Sequence, residues 1–165
     1  MTRRERLRAR RLPSTPVTVR TDFGEAADAA FAGVGAAEQK VFEARAAGVP
    51  VAAAQAELDK ARAGLEAFVE VLQVHPIPPR EYDDLLTKHP PTAEQQKQGQ
   101  IWNLATFGPA LLAACVDRGT DDQLSEAEWV EDIDAGVYAP GELTRLLQTC
   151  IDVNDRAPDV QVGKG

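Results

Sequence analysis

The sequence predicts a mainly α-helical protein, with an antiparallel alanine-rich helical hairpin, two short antiparallel strands at its base, and a C-terminal helical bundle. Three observations predict this fold. Apolar residues between 27 and 68 recur at alternating spacings of three and four residues, which is typical of helices that pack side by side. Two β-branched segments, 17–21 and 69–74, flank that repeat. Amphipathic helical stripes follow residue 78.

Length and composition are those of a folded globular chain. The 165 residues are 44% hydrophobic and 27% charged, which excludes a mainly disordered or collagen-like polymer. Aromatic residues make up only 5%, so the core must be built from aliphatic side chains and alanine. The longest apolar run is 110–116, far short of the ~20 residues that a membrane helix needs.

The charge is divided between a basic N-terminal arm and an acidic body. Residues 1–20 carry a net charge of +6 and the rest of the chain −14. We expect residues 1–16 to form this arm, helical or disordered, with Pro13 and Pro16 ending its helix. The arm could bind phosphates, but no aromatic residue is interleaved to stack on bases, and the acidic body would repel a duplex. We expect it to contact an acidic protein surface or to stay unengaged; its candidate residues are Arg3, Arg4, Arg6, Arg8, Arg10 and Arg11.

The hairpin is predicted within residues 17–75, from two heptad segments joined by a Gly-Val-Pro linker at 48–50. The glycine favours the end of the first helix, and the proline fits the first turn of the second. Because a hairpin brings its two ends together, the strands at 17–21 and 69–74 are expected to pair antiparallel at its base. Small residues occupy most seam positions, so the hairpin buries little apolar area by itself.

Residues 76–154 predict a compact helical bundle, and residues 155–165 a loose tail. Pro79 opens the first helix of this bundle. Thr92 and Ser125, each followed three residues later by Gln or Glu, are capping boxes that begin later helices.

The sequence offers no catalytic, cofactor-binding or metal-binding constellation, and we expect the protein not to be an enzyme. His75 and His89 flank prolines in connectors, and neither a nucleophile elbow nor a phosphate loop occurs. Segment 117–128 has acidic residues at positions 1, 5 and 12 of a calcium loop but lacks its glycine at position 6, so a solvated loop is the favoured interpretation. Cys115 and Cys150, without CxxC spacing, are expected to be buried, reduced thiols.

Three segments of the chain resemble tail assembly chaperones of long, non-contractile-tailed phages of actinobacteria. The first is PPREYDDLLTKHPPT at 78–92, and the second combines WN at 102–103 with TFGPALLAAC at 106–115. The end of the bundle, 128–154, is similar too, and the heptad hairpin fits the family's layout. None of these segments is an active-site motif.

The resemblance implies a non-enzymatic role in the host bacterial cytoplasm. Such chaperones bind the tape-measure protein, keep that long helical chain soluble, help recruit subunits of the major tail (tube) protein, and are generally missing from the finished virion. A second copy of the chain is a further candidate partner, whereas a membrane, a cofactor and a metal are not expected. A nucleic-acid-associated regulator using the basic arm, a generic coiled-coil adaptor and a calcium-responsive module remain the alternatives.

We expect the partner to contact the hairpin and the bundle surface. The candidate contact residues are Val41 and Leu58 on the hairpin seam, and Trp102, Phe107 and Trp129 in the bundle. Each of these aromatic residues can instead belong to the core, because large apolar side chains are mostly buried.

Genes of this family often end in a programmed ribosomal frameshift that yields a longer second product, and this longer form would be another partner. The C-terminal VGKG at 162–165 is compatible with such a site. A valine codon ending in G, followed by GGA and AAG, would spell a slippery G-GGA-AAG run. Sequencing the gene tests this hypothesis, and codons without any slippery run there would refute it.

Overall fold

The computed structural model describes residues 1–8 and 14–155. Within them it contains eight α-helices and a two-stranded antiparallel sheet, which confirms the predicted mainly α fold. The elements in chain order are α1 (Arg3–Arg8), β1 (Thr15–Arg20), α2 (Glu25–Ala46), α3 (Ala52–Leu65), a 3₁₀ turn (Glu66–Phe68), β2 (Val69–Val74), α4 (Pro79–Lys88), α5 (Ala93–Lys97), α6 (Leu104–Cys115), α7 (Glu126–Asp134) and α8 (Pro140–Asp155).

The chain divides into two compact units. One comprises residues 18–71, and the other comprises residues 1–17 together with the chain from Leu72 onwards. Both strands contribute residues to each unit. We call residues 18–71 the hairpin unit and the other the bundle unit. Arg10, Arg11 and Pro13 of the predicted arm, and the predicted tail after Asp155, lie outside the described residues.

The hairpin unit is built from α2 and α3, which are ~33 and ~21 Å long at 1.5 Å per residue. The predicted seam closes over a small core in which Ala37, Val41 and Leu58 are buried. The partly buried residues that complete this core are Val34, Ala54 and Ala61. Two exposed ion pairs also cross between the helices: Lys40 Nζ to Glu57 Oε2 at 2.6 Å, and Arg62 Nη2 to Glu38 Oε1 at 3.0 Å.

The turn between α2 and α3 is a Schellman motif with Gly48 in the left-handed region at φ 66°. The Gly48 N–H donates to Arg45 C=O at 3.2 Å, and the Val49 N–H donates to Ala44 C=O at 3.1 Å. The prediction that glycine ends the first helix is therefore confirmed. Pro50, predicted in the first turn of the second helix, precedes it instead, because the N-cap is Val51.

Strand β1 begins two residues earlier than predicted, so Pro16 lies in the strand instead of ending the arm. Proline is tolerated there because a two-stranded sheet has only edge strands, and an edge residue can dispense with its N–H donor. The Thr21 N–H donates to Phe68 C=O at 3.0 Å, which closes the base of the hairpin. Phe68, predicted as the last seam residue of the second helix, lies in the 3₁₀ turn that leads into β2.

An arginine between two aromatic rings fixes the corner where β1 leads into α2. The guanidinium carbon of Arg20 lies 4.7 Å from the centroid of Phe23 and 4.4 Å from that of Phe31. Its Nη2 also pairs with Asp28 Oδ1 at 2.7 Å. Cation–π contacts and an ion pair thus hold the same side chain.

The core of the bundle unit forms around α6. Six side chains of α6 besides Gly108 are buried, and Trp129 of α7 and Leu146 and Cys150 of α8 are buried with them. The predicted capping boxes at Thr92 and Ser125 are present, and α4 begins with a proline as predicted.

The segment after α6 extends the inner end of β2. Val74 forms an antiparallel bridge with Val116, and the His75 N–H donates to Cys115 C=O at 2.8 Å. The Asp117 N–H donates to Gln73 C=O, also at 2.8 Å. None of the helices among the described residues is long and apolar enough to cross a membrane.

Replacing Gly48 by alanine is expected to destabilise the protein by ~1–2 kcal/mol, because an L side chain at this positive φ is strained. Gly33, inside α2, is the matched control, since a methyl group there meets nothing within 4 Å. Gly33→Ala is expected to stabilise the protein by ~0.5–1 kcal/mol. Urea unfolding of both variants measures this; equal effects of the same sign would contradict the assigned turn.

Candidate partner-binding surface

Four rings form an aromatic cluster centred on Phe107, which is only 1% exposed. Trp102 stacks on Phe107 with centroids 5.1 Å apart, and Tyr82 and His89 contact it edge-on at 6.3 and 6.2 Å. Such offset and edge-on pairs add stability beyond the buried area. The cluster joins segment 78–92, which contains Tyr82 and His89, to segment 102–115, which contains Trp102 and Phe107.

Backbone and cap hydrogen bonds hold these two segments together. The Asn103 N–H donates to His89 C=O at 2.9 Å, which ties the start of α6 to the end of α4. The Asn103 side-chain oxygen accepts the N–H of Ala105 at 3.2 Å and so caps α6. Gln95 Nε2 lies 3.4 Å from the same oxygen. The residues before α6 are thereby fixed by both α4 and α5.

Two large aliphatic side chains next to this cluster are exposed. Ile101 is 70% exposed and Leu104 is 52% exposed, on either side of the half-buried Trp102. We call these residues, with Trp102, the 101–104 patch. Because Trp102 rests on the buried Phe107, the patch is attached to the core of the bundle unit. It is a candidate contact surface for an apolar partner.

The structure buries four of the five apolar residues predicted to contact a partner. Val41 and Leu58 lie in the hairpin core, and Phe107 and Trp129 lie in the bundle core. Phe107 and Trp129 are closed to a partner in this conformation, whereas Val41 and Leu58 keep a small accessible surface at the floor of a groove between α2 and α3. The alternative that they are core residues applies to all four. Trp102 is half-buried and remains partly accessible.

Sequence reasoning missed the exposed apolar residues that neighbour these core positions. Phe42 next to Val41 is 67% exposed. Ile101 next to Trp102 is exposed as well. The sequence does contain a signal for such residues: a large apolar residue lies directly beside a periodic apolar stripe but on the face that the stripe does not occupy.

The basic arm begins with α1, in which Arg3, Arg4 and Arg6 are exposed. Among the described residues none of these three pairs with a carboxylate, and Arg6 Nη1 donates to Met1 C=O at 3.0 Å. Arg8 is the last residue of α1. An acidic protein surface as the partner of the arm therefore stays a prediction.

The two cysteines are buried and form no disulfide, as expected. They are also neighbours in space, although 35 positions separate them in the sequence, and their thiols are hydrogen bonded. Asn154 bridges them: its Nδ2 lies 3.5 Å from Cys115 Sγ and 2.7 Å from Cys150 C=O. The hydrogen bond to Cys115, together with burial, raises the pKa of Cys150 well above its usual range. Cys150 is thus a protonated thiol packed between α6 and α8.

The segment considered as a calcium loop uses its acidic side chains within the protein. Asp117 Oδ1 accepts the Gln73 N–H at 2.8 Å, and Glu128 Oε2 accepts the Ser125 hydroxyl and N–H at 2.7 Å each. These two hydrogen bonds hold the pKa of Glu128 below its usual range, and the bond from the Ser125 hydroxyl has the larger effect. Throughout residues 1–8 and 14–155, no group of three or more His, Cys, Asp or Glu side chains could hold a metal ion.

No family model matches this chain, and neither does any curated protein or solved structure.

Trp129 provides a test of the bundle core, because its buried Nε1 has no hydrogen-bond partner in the described part of the chain. Trp129→Phe removes this unsatisfied donor together with part of the ring, so its net cost is expected to stay within ~1 kcal/mol. Trp129→Ala empties the site and is expected to cost ~3–5 kcal/mol. Chemical unfolding measures both; a phenylalanine variant as unstable as the alanine variant would contradict the expectation that a smaller ring without the N–H still fills most of the site.

Proposed function

We propose that this protein is a non-enzymatic assembly chaperone for a long, non-contractile phage tail. It acts in the host bacterial cytoplasm, where it binds the tape-measure protein and helps recruit tail-tube subunits. The observation that carries this proposal is the meeting of two segments that resemble the family at Phe107, beside the exposed 101–104 patch. Trp102 of the patch belongs to the second of these segments, and Ile101 and Leu104 directly flank its Trp102–Asn103 pair.

The chemistry of the patch suits an apolar stripe on a helical client. Full burial of an aliphatic side chain contributes ~1.5–3 kcal/mol, and Ile101 and Leu104 are 70% and 52% exposed, so covering the rest of both offers roughly 2–4 kcal/mol before the costs of association. One such contact is weak and reversible. Several copies along one long client would hold it through many such contacts, and each could still be released during assembly.

The charge of the chain supports a role in keeping a client soluble. The net charge of −8 lies far from zero, and a complex that carries several copies would be strongly negative. Like-charged complexes repel one another, which opposes aggregation of an apolar client. The basic arm remains as an electrostatic contact for an acidic region of a client or of another copy.

Capture of the tape-measure protein by the full chain tests the proposal. The chain carries an affinity tag and is co-expressed with the tape-measure protein encoded near it. The double variant Ile101→Asp, Leu104→Asp places two charges in the patch and is expected to reduce capture at least tenfold. Val137→Asp is the matched control, because Val137 is 57% exposed and lies outside the patch; it is expected to capture normally.

Thermal melting of all three proteins checks that the substitutions leave the fold intact. No capture by the natural sequence, or undiminished capture by the double variant, would contradict the proposal. Recovery of nucleic acid alone, lost at high salt, would instead favour the regulator that uses the basic arm.

A further inference from the structure

A groove of about 300 Å³ runs between α2 and α3 of the hairpin unit. Val41 and Leu58 line its floor, and Phe42 stands beside it with 67% of its surface exposed. Charged residues of both signs, among them Glu38 and Arg45, line its rim. The groove is thus an apolar slot beside an exposed ring, and the slot and the ring belong to the same hairpin.

The hairpin unit has little core to stabilise it. Only three residues are buried in the cluster between α2 and α3, and two of the three partly buried residues around them are alanines. Small folded units commonly need an added staple or oligomerisation to gain enough buried surface. Covering Phe42 and the groove together would add apolar burial on the face where the hairpin lacks it.

The groove face of α2 is complementary to itself. Glu38, Val41, Phe42 and Arg45 follow at i, i+3, i+4 and i+7, so they share one side of the helix. If two copies of α2 meet antiparallel about a two-fold axis between residues 41 and 42, each Phe42 faces Val41 of the other copy. The same axis places each Arg45 opposite Glu38 of the other copy, so the two charges that flank the apolar pair are opposite in sign.

The existing ion pairs leave this contact available. Arg45 forms no ion pair with a carboxylate within the described chain. Glu38 accepts Arg62 through Oε1 at 3.0 Å, which leaves its second oxygen for another donor. Glu38 could therefore bridge Arg62 of its own chain and Arg45 of a second copy.

We propose that the groove face of α2 and α3 is a self-association surface, on which a second copy packs its own α2 antiparallel and inserts its Phe42 into the groove. The shorter helix limits the contact to ~21 Å in length, and two helices side by side are ~20 Å wide. Such a face covers roughly 400 Å² per copy, below the ~800 Å² per partner of a standard stable interface. The dimer is accordingly weak and reversible, with a Kd on the order of micromolar or above. This surface is separate from the 101–104 patch and independent of the proposed client.

Sedimentation of the full chain tests the self-association. The natural sequence is expected to change from monomer to dimer as its concentration rises from about 1 to about 500 μM. Phe42→Asp places a charge in the apolar slot and is expected to weaken the dimer at least tenfold. Val137→Asp is the matched control, because Val137 is 57% exposed but lies in the bundle unit and outside the 101–104 patch, and it is expected to leave the dimer unchanged.

A charge exchange tests the antiparallel geometry. Arg45→Glu places two carboxylates opposite each other and is expected to weaken the dimer. Adding Glu38→Arg to it restores opposite charges across the two-fold axis and is expected to recover most of the association. Circular dichroism of each variant checks that the helices remain folded.

A chain that stays monomeric throughout this concentration range would overturn the proposal. So would a dimer that Phe42→Asp and Val137→Asp weaken equally. A double charge variant that associates no better than Arg45→Glu alone would overturn the antiparallel arrangement. Because no tape-measure protein is present in these measurements, their failure would leave the capture experiment as a separate test of the proposed function.

Discussion

The burial of Phe107 among three other rings is the interaction on which the bundle unit and its candidate surface depend. Tyr82 lies in α4, His89 follows its last residue, and Trp102 comes from the segment just before α6, so a single side chain joins both regions. The Asn103–His89 hydrogen bond fixes the same junction through the backbone. Because Ile101 and Leu104 flank the stacked Trp102, their position at the surface follows from the packing of Phe107 beneath it.

In contrast to the bundle unit, the hairpin unit has a small core and an exposed apolar face. Its helices follow a regular heptad seam, yet alanine at most seam positions leaves only a small buried cluster. An exposed phenylalanine and a neighbouring groove then lie on one face, with charges of both signs around them. Thus the bundle unit has a buried core of its own, whereas the hairpin unit has an exposed apolar face on which we propose that a second copy packs.

Local signals in the sequence were enough to predict most of the elements. The capping boxes at Thr92 and Ser125 and the glycine at 48 act within a few residues, so a pattern of residue types identifies them. The start of β1 was predicted two residues too late, because Pro16 is compatible both with the end of a helical arm and with an edge strand. The pairing of β1 with β2 was predictable from the geometry of a hairpin alone.

The candidate surface could be predicted only in part, because contacts between distant segments decide it. Hydrophobicity selected Phe107 and Trp129, but it does not distinguish a core ring from an interface ring; tertiary packing buried both. The exposure of Phe42 and Ile101 depends on which faces of their segments pack against other parts of the chain. The adjacency of Cys115 and Cys150 depends on how α6 packs against α8.

Hydrogen exchange of the full chain, alone and in complex with the tape-measure protein, tests the central claim most directly. The account predicts that the complex slows exchange of the backbone amides from residue 98 to residue 106, around Trp102, while the amides of α7 exchange as before. Unchanged exchange in this segment, with protection confined to α1 or to another part of the chain, would contradict the claim that the 101–104 patch binds the client.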